Sequence, residues 1–219
     1  MKRFSSIIFI LIILSACNNS SSDKTYNTDK TDITSTPDVL NFYNLKKILV
    51  EDSTNNIISI HIPDNSSENI AESNEIARFQ VEYSQDEYLD ILIRSLRSQY
   101  TVRFNNADEY ISIIKQGIKE KYGDNIQALA NVFPTRYTNI RIVSIDYDYI
   151  INNHSFMRRI MHFNDKLTGD LNNTNFQFIT WHNKQKYTFD ITYTGDNKTL
   201  PELIGFTNSI AGSLKFLNN

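Results

Sequence analysis

The sequence predicts an α+β domain built around an antiparallel sheet. Three observations carry this. Several β-rich stretches follow one another across short polar turns, a connection that joins antiparallel neighbours only. Two segments, 106–123 and 199–214, place apolar residues at helical spacing between capping signals. The chain has a single cysteine, Cys17, so no internal disulfide can form, yet 40% of its residues are apolar, with 13 Phe and 12 Tyr. That is enough for one ordinary core.

The N-terminal stretch MKRFSSIIFILIILSAC comes first. A basic pair, Lys2 and Arg3, precedes an apolar run from Ile7 to Leu14 that is too short to span a bilayer comfortably. Leu14-Ser15-Ala16-Cys17 matches a bacterial lipobox, so residues 1–16 are expected to be a lipoprotein signal peptide and Cys17 its lipidation site. Residues 18–38 hold almost no apolar side chains and cannot offset the entropy of ordering. With Cys17 they form an expected tether, 17–38, with a root-mean-square reach of ~25 Å as a flexible coil. A single domain is expected over 39–219. The formal charge of the chain is −3, and loss of Lys2 and Arg3 makes it −5. An acidic chain lacks the basic footprint that nucleic-acid binding needs.

Leu45–Val50 and Ile57–Pro63 read as a hairpin around Ser53-Thr54-Asn55-Asn56, with Pro63 stopping the second strand. Residues 64–75 read as polar loop and Ile76–Tyr83 as a strand. Residues 86–97 fit either element. Leu89, Ile91 and Ile93 alternate as in a strand, whereas Leu89, Leu92, Ile93 and Leu96 fit a helical face behind a Ser84/Glu87 capping box. The central helix is capped by Asn106, with Asp108 and Glu109 at the positive end of its dipole. Ala107, Tyr110, Ile111, Ile114 and Ile118 make its buried stripe, and Gly123 ends it. A shorter turn follows at Ile126–Ala130.

Four strands are expected next: Asn139–Tyr149, Phe156–Phe163, Phe176–Trp181 and Lys186–Tyr193. Asn152-Asn153, a loop at Lys166–Asn173 and His182–Gln185 separate them. The last strand alternates, with Tyr187, Phe189, Ile191 and Tyr193 packed and Thr188, Asp190 and Thr192 wetted. Thr199-Leu200-Pro201-Glu202 starts a final helix, whose stripe is Leu200, Leu203, Ile204, Ile210, Ala211 and Leu214.

This order, carried by IISIHIPDN, NADEYISIIKQGIKEKYG, IRIVSIDYDYI with FMRRIMHFND, FQFITWHNKQKYTFDITYTG and LPELIGFTNSIAGSLKF, resembles the PsbP-like family. That fold is shared with DcrB-like proteins and the Ran-binding Mog family. The resemblance covers most of residues 57–217. It implies an antiparallel sheet sandwiched by helices (α/β/α) and favours a strand at 86–94. It also implies a non-catalytic assembly or binding role, since most members serve that way.

Chemistry-bearing residues are sparse. None of the four histidines falls in a metal-ligand spacing, so no metal or cofactor is expected. His162 and His182 lie near predicted strand ends, which could bring them together; a satisfied or exposed His is the usual outcome. Asp146 and Asp148, two apart, are expected to share a strand face, with Tyr147 and Tyr149 turned to the core. These four, Asp146, Asp148, His162 and His182, are the groove candidates. Arg158-Arg159 sends one side chain to each face. No nucleophile elbow and no Gly-rich phosphate loop occurs. The expectation is a non-enzymatic envelope lipoprotein that binds another protein. The alternatives are a periplasmic immunity protein against a secreted toxin, and a small-ligand binder or hydrolase using a groove between sheet and helices. Asn18 after Cys17 points to the periplasmic face of the outer membrane if the enterobacterial sorting rule applies.

Overall fold

The computed structural model of the chain describes residues 28–29, 44–72, 75–97 and 104–217. The expected signal peptide, Cys17 and most of the expected tether lie outside the described residues. Within the expected tether, Thr28–Asp29 (β1) are strand and pair antiparallel with Leu45–Glu51 (β2).

The remaining elements, in chain order, are Ile57–Pro63 (β3), Ser67–Asn69 (β4), Glu75–Ser84 (β5), Glu87–Arg97 (β6), Ala107–Tyr122 (α1), Tyr137–Ile151 (β7), His154–Asp165 (β8), Leu171–His182 (β9), Gln185–Thr194 (β10), Leu200–Gly212 (α2) and Lys215–Phe216 (β11). A 3-10 turn occupies Ile126–Val132. A seven-stranded antiparallel sheet runs β4-β5-β6-β10-β9-β8-β7, and a four-stranded sheet runs β1-β2-β3-β11. The expected α+β class and meander hold, while the early hairpin joins the C-terminal strand in a sheet of its own. The last strand of the large sheet, β10, lies in its middle, between β6 and β9.

The helices form as their signals dictate. Asn106 Oδ1 accepts the Glu109 N–H at 2.9 Å, and Gly123, at φ 61°, returns its own N–H to the Lys119 carbonyl. The expected stripe of α1 is its set of buried residues. At α2 the Glu202 carboxylate accepts both the backbone N–H and the hydroxyl of Thr199, each at 2.7 Å. The β7–β8 turn holds Asn152 and Asn153 at φ 48° and 62°. Both are in the left-handed region that asparagine tolerates. The Asn152 amide also donates to the carbonyls of Gly212 and Leu214, closing the end of α2.

Two cores flank the large sheet. On one face α2 and the small sheet pack over Leu89, Ile91, Ile93, Phe156, Phe178, Phe189 and Tyr193. On the other, α1 packs over Met157, Met161, Ile179 and Trp181 of β8 and β9. The ambiguous segment 86–97 is therefore strand: its period-2 set, Leu89, Ile91 and Ile93, is almost fully buried in the first core. Within the expected polar loop 64–75, Ser67–Asn69 pair with β5. Strand β9 begins at Leu171, inside the expected loop 166–173.

Candidate functional site

The structure separates the four groove candidates. Between Asp146 and Tyr149 of β7, two residues, Tyr147 and Asp148, oppose one on β8, Met157, which is a bulge. One extra residue reverses the alternation of side chains. Asp146 reaches Arg158 at 3.6 Å, whereas Asp148 reaches Lys115 of α1 at 3.7 Å. The two carboxylates thus part to opposite sides instead of sharing a face. Tyr147 and Tyr149 split likewise, Tyr147 packing with the α1 core and Tyr149 with the α2 core.

His162 and His182 do not come together. His162 sits opposite Thr174 and shares a 2.9 Å hydrogen bond with its hydroxyl. His182 lies further along the same strand, roughly 26 Å away at the ordinary rise per residue. It stacks on Phe216 of β11, ring centres 4.0 Å apart, and meets His154 edge-on at 5.5 Å. Burial, with His182 beside it, lowers the pKa of His154. A shallow cavity of about 500 Å³ lies between the 3-10 turn and β7, lined by Asn125, Gln127, Asn131, Tyr137 and Asn139. None of the four candidates lines it. Among the described residues no group of three His, Cys, Asp or Glu is arranged to hold a metal ion, and no helix is long and apolar enough to cross a membrane.

The chemistry gathers elsewhere, on the half of the α1-side sheet face that extends from β8 to β5. The expected wetted side of β10 is buried: Lys186, Thr188 and Asp190 are only 5–7% exposed. The reason is position, since β10 is flanked by β6 and β9, whose side chains crowd it from both sides. Side by side across the strands stand Arg159, Gln177, Asp190, Leu92 and Arg78. Arg159 donates to the Gln177 carbonyl at 2.7 Å, and the Gln177 amide donates to Asp190 at 2.7 Å. Arg94 donates to the other Asp190 oxygen at 3.1 Å and stands 3.7 Å from Glu75. Arg78 makes a two-pronged pair with Asp90 at 3.0 and 2.9 Å.

The sequence reading sent one of Arg158 and Arg159 to each face, as found. Arg158 lies over the Tyr149 ring beside Asp146, and the buried Arg159 lies against the Phe133 ring and Gln177. Burial pushes the Lys186 ammonium down to about 8, with Arg159 as a further like-charge cause. Burial also lowers Arg159, to about 10, so it stays charged at neutral pH. No motif announces this network. Its one visible sign is that Lys186 and Asp190 fall on one face of β10, which pairs with β6, the strand of Arg94.

A second buried polar cluster joins the two sheets. Asp52, in the β2–β3 turn, accepts hydrogen bonds from the Tyr187 hydroxyl, from Thr54, from Asn56 and from Gln185. Burial raises its pKa, but these bonds together outweigh burial and hold it below the ordinary carboxylate value. Its satisfied geometry reads as architecture.

No family model and no curated protein matches this chain. Among solved structures, the cyanobacterial PsbP protein CyanoP from Synechocystis is similar at 11% identity, over 84% of this chain and 98% of that one, with a TM-score of 0.45. The Saccharomyces cerevisiae Ran-binding protein Mog1p is similar at 11% identity, over 80% and 97% of the two chains, with a TM-score of 0.45. A Bacteroides thetaiotaomicron protein is similar at 12% identity, over 74% of this chain and 46% of that one, with a TM-score of 0.37.

Proposed function

We propose that this chain is an envelope lipoprotein, anchored by lipid on Cys17, whose α+β domain binds another protein and catalyses no reaction itself. The lipobox Leu14-Ser15-Ala16-Cys17 supports the anchor, and Asn18 favours the periplasmic face of the outer membrane. The tether lets a domain search near the membrane at raised local concentration. The observation that carries the binding reading is the charged half-face of the large sheet. Its inner cations, Arg159 and Lys186, are buried, and its outer ones, Arg78 and Arg94, keep 31% and 36% of their side chains exposed. Arginine in such partly desolvated, paired settings recurs at protein recognition sites.

The test is site-specific photocrosslinking in living cells. A photoreactive residue replaces Arg78 or Leu96 on this face, or Ser209 on α2 as a control. One dominant product from the charged face, absent from the control, supports the reading. Products of equal strength from all three positions, or none, overturn it. If the product is a toxin of a neighbouring cell, the immunity role follows. Killing of cells that lack the gene by cells that carry the toxin then confirms it.

A further inference from the structure

The shallow cavity of about 500 Å³ beside the 3-10 turn has a lining of one chemical kind. Asn125, Gln127 and Asn131 line it from the turn, and Tyr137 and Asn139 from the start of β7. None of its lining side chains carries a charge. Its size falls within the about 300–1,000 Å³ of small-ligand sites, but four amides and a phenol stand where such sites are mostly apolar.

The walls are held in place. The Gln127 amide bridges turn and strand, donating to the Ile140 carbonyl at 2.7 Å and accepting the Ile142 N–H at 2.9 Å. Those are the groups a neighbouring strand would use, so Gln127 closes this stretch of the β7 edge to strand addition. Between Thr138 and Arg141, Asn139 and Ile140 oppose the single Phe163 of β8, a bulge, and Asn139 stands at φ 51°. A left-handed backbone at a residue other than glycine costs energy, and such residues cluster at ligand sites. The Asn139 amide donates to Asn164 at 3.0 Å, which leaves Oδ1 to accept. The Tyr137 hydroxyl accepts from Arg136 and keeps its own proton to donate. The Asn125 side chain makes no cap to the turn it begins.

We propose that this cavity binds an uncharged saccharide, its hydroxyls met by the Asn125, Asn131 and Asn139 amides and by Tyr137. An amide donates and accepts at once, as a sugar hydroxyl does, so neither partner is left unpaired. The apolar part of the lining, Ala128 and Ile140 among it, suits the C–H face of a sugar ring. An ionic ligand finds no counter-charge on the lining, and an extended peptide finds the strand edge taken by Gln127. The site shares no residue with the charged half-face and is independent of the protein-binding reading.

The test uses the full chain, isotope-labelled, in a zwitterionic detergent without a sugar headgroup. It is titrated with chitotriose and, separately, with maltotriose. Backbone amide NMR shifts that saturate and centre on residues 125–131 and 137–140 support the site, with a Kd of about 1 mM expected for so open a cavity. The preferred sugar tells an N-acetylated from a plain hydroxyl determinant. Asn139→Gly keeps the left-handed backbone and removes the amide. That variant and the double variant Asn125→Ala/Asn131→Ala are each expected to weaken binding about tenfold, the loss of one or two hydrogen bonds. Ser209→Ala on α2 is expected to change nothing. Should a variant not fold, the shift map of the unmodified chain still decides. No shifts with either sugar, shifts centred elsewhere, or undiminished binding by both Asn variants overturns the proposal. So does equal binding of acetyl-Gly-Ser-Gly-amide at the same residues, which would make the site one for peptide.

Discussion

The Tyr187 hydroxyl donates to the Asp52 carboxylate across 135 residues of sequence, tying the turn of the small sheet to the first half of β10 in the large one. Gln185 and Asn56 complete the joint. Tyr187→Phe removes one charge-assisted donor and is expected to cost about 1–2 kcal/mol. Asp52→Ala leaves several buried donors unpaired and is expected to cost about 2–4 kcal/mol. The double variant is expected to cost less than the sum, since both changes break one network. Denaturant unfolding of the four proteins measures this.

The same joint sets part of the acid sensitivity. The folded pKa of Asp52 lies below its ordinary value of 3.8. As pH falls, the unfolded chain takes up this proton first. The stabilisation is therefore complete above about pH 4 and is lost as pH falls through the folded value. In Asp52→Asn that part of the acid limb disappears, which a series of thermal melts between pH 2 and 6 reads directly.

Lys186 gives the opposite limb. Its folded pKa of about 8 lies below its ordinary 10.5, so the folded state carries a penalty for the charged form at neutral pH. Between these values the unfolded chain binds more protons than the folded one, and stability rises with pH. Lys186→Met is expected to be more stable than the unmodified chain at pH 7, by up to about 3 kcal/mol, and to lack the alkaline rise. Melts from pH 7 to 10.5 check the slope.

How much of this was legible can be judged strand by strand. Both long helices declare themselves, because caps and stripes are local: Asn106, Gly123, Thr199 and Glu202 act as their types suggest. The four-strand meander is equally local. Three things were not readable. The bulge at Asp146–Tyr149 splits the two tyrosines and the two aspartates between the faces, and no residue type there signals it. The polar side of β10 reads as solvated because alternation reports amphipathicity, not which neighbours lie alongside. The partners of Arg159 come from two other strands, and only the register brings them together.

The β7–β8 turn separates backbone from side-chain demands. Asn153→Gly relieves a left-handed residue and is expected to stabilise by about 0.5 kcal/mol. Asn152→Gly gains the same backbone ease but loses two hydrogen bonds to the end of α2, and is expected to destabilise by about 1 kcal/mol or more. Chemical denaturation of the pair decides whether the side chain or the turn dominates.

Cys17→Ser is expected to abolish lipid attachment and signal cleavage together, leaving an uncleaved precursor without acyl label. Metabolic labelling with a clickable fatty acid, read beside the gel mobility of the chain, measures both.

Because β10 is the seam of the large sheet, β4-β5-β6 and β9-β8-β7 meet only when residues 185–194 arrive. The large sheet therefore closes late in amino-to-carboxyl synthesis, and the β6 edge, made by residue 97, stays bare until then. That edge is where a misplaced strand is most readily taken up before residues 185–194 arrive.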